Sequence, residues 1–128
     1  MAETLVTELT SPEARKALAE AILALFHQWN LHLLNQAELL GLNNMSALNR
    51  GEPLPENPQV LERVGHLLAI ERALTKHFPF DLNRRDSWIE TANPKLENEL
   101  PLKIMLVEGV EGMKKVRELA ESLKSQAN

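Results

Sequence analysis

A chain of 128 residues that is 44% hydrophobic and 25% charged has globular composition and the length of one ordinary domain, not that of a disordered or fibrous protein. It has no Cys, which excludes disulfides, thiolate metal sites and Cys nucleophiles and suits a reducing cytoplasm. The net charge of −4 lies wholly in residues 1–60, where three cations face seven anions (3 − 7 = −4), while residues 61–128 hold eleven of each sign.

Aromatic residues make up only 4% and Tyr is absent, so Leu, Ala, Ile, Val and Met must build the core, a selection that favours helices. Residues 1–10 read as an arm, and their order lacks the basic-then-apolar run of a signal peptide. Ser11-Pro12-Glu13 is a helix start: an N-cap, a proline at the first helical position and an acid near the positive end of the dipole. Ala14, Leu18, Ala21, Ile22, Leu25 and Trp29 then recur at helical spacing and predict a helix to about Asn30. The most apolar stretch, Ala17 to Phe26, is broken by Glu20 and too short to span a bilayer, so no membrane association is expected.

Asn35 to Leu42 predicts a short helix capped by Asn35 and ended by Gly41. A second short helix follows from Met45 to Arg50, stopped by Gly51, and the pair has a helix-turn-helix outline. In that outline Gln36 contacts phosphate, while Asn43, Asn44, Ser46, Asn49 and Arg50 present polar groups to base edges and Met45 and Leu48 face the core. The competing reading is a helical hairpin of a bundle. DNA affinity comes largely from cations on phosphates, and the acidic first half disfavours operator DNA as a partner.

Two prolines exclude a helix across Glu52 to Glu56, and Asn57-Pro58 starts the longest one. Val60, Leu61, Val64, Leu67, Leu68, Leu74 and Phe78 mark its face up to Pro79. Asp81 caps a further helix carrying Leu82, Trp88, Ile89 and Ala92, which Asn93-Pro94 ends. After an acidic loop come a short apolar helix, Leu102 to Val107, and a last one, about Glu111 to Lys124, with Val116, Leu119, Ala120 and Leu123 on one face. No segment alternates with period two. The expected fold is all-α: a compact bundle of six to seven helices, with a helix-turn-helix-like region at 11–79 and a smaller helical subdomain at 80–128.

No motif with a catalytic mechanism is present. His27 and His32 are five apart, not the four that puts two ligands on one helical face, and the glycines form no phosphate loop. The expectation is a protein that is not an enzyme and takes no metal or cofactor.

The segment from Trp88-Ile89 through Thr91, Asn93-Pro94 and Leu96 to Pro101-Leu102, then Gly112 and Val116, resembles the toxin-binding domain of the Xre/MbcA/ParS antitoxin family. Upstream, the helix-turn-helix-like region and long middle helix keep that family's order, so the resemblance spans roughly residues 15–124. The resemblance implies a cytoplasmic antitoxin of a type II toxin–antitoxin pair, a homodimer that neutralises a RES-type or ADP-ribosyltransferase-like, NAD-directed toxin by covering its active site. It also implies autorepression through the helix-turn-helix. On the position of the last two helices, Met105, Leu106, Met113, Lys114, Arg117, Lys124 and Gln126 are the candidate toxin contacts. Trp88, Asn93, Pro94, Pro101 and Gly112 are expected to be structural: a core aromatic, turn residues and close helix packing. The alternative is an orphan helix-turn-helix regulator.

Overall fold

The computed structural model describes residues 10–126, with side chains as far as Leu123, so the N-terminal arm lies outside the described residues. Seven α-helices make up this part, with no strand among the described residues: α1 (Pro12–Gln28), α2 (Leu33–Leu40), α3 (Ser46–Asn49), α4 (Pro58–His77), α5 (Leu82–Ser87), α6 (Pro101–Glu108) and α7 (Val110–Gln126). Single 3-10 turns occupy Trp88–Glu90 and Pro94–Leu96. No helix among them is long and apolar enough to cross a membrane. The chain divides within α4 into two compact units, one ending at Val64 and the other beginning at Gly65.

In the first unit the Ser11 hydroxyl accepts from the Ala14 amide at 3.1 Å and so caps α1. Ala19, Ile22, Leu25, Phe26 and Trp29 form the buried face of this part of the chain. Ala21 does not belong to it: the apolar stripe runs through Ala19 and Phe26 instead, leaving Ala21 exposed. The second helix begins at Leu33, with His32 at the cap position and Asn35 inside it, so Asn35 is not its cap. Gly41 ends α2 at φ 74°, and the Leu42 amide reaches back to the Ala37 carbonyl at 2.9 Å in a Schellman closure.

Two arginines tie this unit together. Arg15 donates to the Leu54 carbonyl at 2.8 Å and the Thr10 carbonyl at 2.9 Å, fixing the Pro-containing segment against α1. Arg63 donates to the Leu39 carbonyl at 3.3 Å, at the negative end of α2. Met45 and Leu48 are buried, as their spacing predicts, alongside Leu54, Val60 and Val64.

In the second unit Leu67, Ile70, Leu74 and Phe78 continue the stripe of α4 and are buried with Ile89, Leu102, Met105, Met113, Val116 and Ala120. The Asp81 carboxylate caps α5 by accepting from the Arg84 amide at 3.1 Å. That helix does not run on to Ala92. Ser87 and Thr91 turn their hydroxyls back onto the carbonyls four residues earlier, at 2.7 and 2.8 Å, and the chain tightens into a 3-10 turn. In consequence Leu82 and Ala92 face solvent, and of this stretch's apolar side chains only Ile89 is buried.

Candidate functional site

The segment between Trp88 and Gly112 is a succession of local closures. Asn93 accepts from the Lys95 amide at 3.0 Å and caps the turn that Pro94 opens. Glu97 and Asn98 adopt left-handed φ values of 56° and 65°, reversing the chain so that the Asn93 amide donates to the Glu99 carbonyl at 3.1 Å. Pro101, buried, then starts α6, where its missing amide costs no bond. Gly109 turns the chain between α6 and α7, and Gly112 brings the two into close packing. A Cβ on Gly112 would stand 2.3 Å from the Ile104 carbonyl oxygen. Asn93, Pro94, Pro101 and Gly112 thus act as scaffold. Trp88 does not act as a core aromatic. It is only half-buried, and Trp29 is the buried tryptophan.

The candidate contacts on α6 and α7 separate into two groups. Met105 and Met113 are 1% and 0% exposed, inside the unit, so they are packing residues and not surface anchors. Leu106 is half-buried, and Val107, which the sequence did not single out, is 73% exposed. Lys103 and Val107, four apart, share an outward face of α6. Lys124 and Gln126 lie in the last turn of α7, with side chains outside the described residues.

Among the described residues, four cations of α6 and α7 face an acid of their own unit. Lys103 meets Glu99 at 2.8 Å, Lys115 meets Glu108 at 2.6 Å, Lys114 meets Glu111 at 3.4 Å, and Arg117 meets Glu121 at 3.3 Å. Arg117 also lies 3.2 Å from His66 Nδ1. Such exposed pairs stabilise little, so a partner's carboxylates can replace them at small cost. Hydrogen bonding to Glu99, reinforced by its charge, raises the Lys103 pKa above 10.5, and the Glu108 bond and charge, with a smaller contribution from Glu111, do the same for Lys115. A raised lysine pKa contributes stability that is fully present below the unfolded value of 10.5 and disappears as pH rises through the folded value. The melting temperature of a Lys103→Gln/Lys115→Gln variant should therefore lie below that of the parent up to about that pH, and the two should converge in stronger alkali.

The DNA candidates are arranged differently. Asn43, Asn44, Ser46, Asn49 and Arg50 are exposed around α3, but Gln36 is turned inward and donates to the Leu31 carbonyl at 2.9 Å. Asn44 accepts from the Ser46 amide, and Arg50 is engaged by Glu52 at 2.8 Å. The helix that would read bases has four residues, a single turn, where a recognition helix presents side chains over a longer face. Among the described residues no group of three His, Asp or Glu is placed to hold a metal.

Comparison with known protein families finds none that matches the chain, and comparison with curated proteins returns no match.

Proposed function

We propose that this chain is the antitoxin of a type II toxin–antitoxin pair, binding a NAD-directed toxin through the outer surface of α6 and α7 and covering its active site. The observation that carries the reading is the division of labour across Trp88–Val116. The motif residues are spent on turns and helix packing, and the hairpin they build holds Val107 outward with Leu106 partly exposed. An exposed aliphatic side chain on helices that also carry exchangeable ion pairs suits a protein–protein interface. In this reading Leu106, Val107, Lys114 and Arg117 make the contact, with Lys124 and Gln126 extending it, while Met105 and Met113 shape it from beneath.

The direct test is inhibition in vitro. The product of the adjacent reading frame should consume NAD, and one equivalent of this chain should stop it. A Val107→Glu/Lys114→Glu variant, altered only on the outside, should fold and fail to inhibit. Inhibition undiminished by that variant would place the contact elsewhere. The orphan-regulator reading is supported by the exposed polar cluster around α3, and it requires salt-dependent binding to operator DNA that Asn49→Ala and Arg50→Ala both abolish.

A further inference from the structure

Between the end of α4 and the 3-10 turns the second unit holds a cleft of about 380 Å³, to which α7 contributes Leu123. Its walls include Phe78 and the half-buried Trp88, the tryptophan that core packing leaves unused. Small-molecule sites occupy roughly 300–1,000 Å³, so the cleft has room for a ligand of one or two rings.

The polar groups of the cleft are set by how the local bonds are spent. Arg85 is engaged by Glu71 and Asp86 at 4.0 and 3.1 Å. Arg84, beside it, lines the cleft and has no carboxylate partner among the described residues; its guanidinium stands 5.1 Å from the Phe78 ring centroid. Asn93 gives its side-chain oxygen to the Lys95 amide, which leaves its NH2 group as a donor. His77, also on the wall, carries a buried Nδ1 without a hydrogen bond, an unmet polar group beside the cleft. No Asp or Glu lines it, in a chain with 18 of them. The cleft therefore joins aromatic walls to an unspent positive charge.

We propose that it binds a planar aromatic monocarboxylate, taken up as a free small molecule. The ring lies against Trp88 and Phe78, and the carboxylate takes the Arg84 guanidinium with the Asn93 amide as a second donor. One guanidinium, with no lysine among the lining residues, balances a single negative charge and so selects a carboxylate over a phosphate dianion. For a ligand of about a dozen heavy atoms the Kd is on the order of 1 mM. The site uses none of the candidate toxin contacts, so it stands or falls apart from the antitoxin reading.

Titration of the isotope-labelled full chain with cinnamate, followed by heteronuclear NMR, tests it. The Trp88 indole N–H resonance should shift and saturate, while that of Trp29, buried in the first unit, stays in place. Arg84→Gln should weaken binding about 10-fold through loss of the charge-assisted pair, with helicity unchanged. Cinnamamide, the neutral isostere, should bind the parent about 10-fold more weakly than cinnamate and lose nothing further in Arg84→Gln. Ala92→Phe, at an exposed lining position, should fill the cleft and abolish binding in a folded protein. Shifts that do not saturate, that centre away from Trp88, or that persist in Ala92→Phe overturn the proposal. Cinnamamide binding as tightly as cinnamate, or Arg84→Gln binding cinnamate undiminished, overturns it equally, since the charge would then select nothing.

Discussion

Gly112→Ala is expected to destabilise the second unit by about 2 kcal/mol, against the direction that helix propensity gives. Alanine in a helix interior is favoured over glycine by up to ~1 kcal/mol. At Gly112 the new methyl would stand 2.3 Å from the Ile104 carbonyl oxygen and 2.9 Å from its carbon, both backbone atoms that no rotamer change can move aside. The hairpin must open, and overpacking of that kind costs about 1–3 kcal/mol, here at the upper end. Gly65 supplies the control. It lies inside α4 with nothing within 4 Å of where its Cβ would be, so Gly65→Ala should raise stability by about 0.5–1 kcal/mol. Urea midpoints of the two variants should move in opposite directions. If both rise, α6 and α7 do not pack through Gly112.

Met113→Ala should cost about 2–5 kcal/mol and reduce toxin neutralisation only in proportion to the unfolded fraction. Its side chain is 0% exposed, so truncation leaves a cavity the surrounding helices fill incompletely. Val107→Ala, at 73% exposure, should leave stability within about 0.5 kcal/mol of the parent. It should still weaken the partner complex, since an apolar residue at the centre of an interface carries much of its energy. Denaturation and inhibition assays on the same pair separate the roles. A Met113→Ala protein that is as stable as the parent but inactive would make Met113 a contact residue after all.

The caps were the most legible part of the fold. Ser11, Asn57 and Asp81 act within three residues of themselves, so chain order alone announces their bonds. The start of α2 was not legible. Leu33 and Leu34, 59% and 83% exposed, open that helix without a side-chain cap, and Asn35 was the nearest cap-like residue. Nor could sequence give the two faces of α6. In Pro101–Glu108 nearly every residue is apolar, so periodicity cannot tell buried Met105 from exposed Val107. The reach of Arg15 to Leu54 is tertiary and has no local signal.

Neutralisation of a toxin by the outer surface of α6 and α7 is a proposal that one measurement decides. Co-expression measures it most directly: the adjacent reading frame is induced in a bacterial host with and without this chain, and growth and intracellular NAD are followed. Growth arrest with NAD loss, relieved by the parent and not by Val107→Glu/Lys114→Glu, is the expected result. A neighbour that is harmless, or whose toxicity this chain does not relieve, would contradict the antitoxin reading.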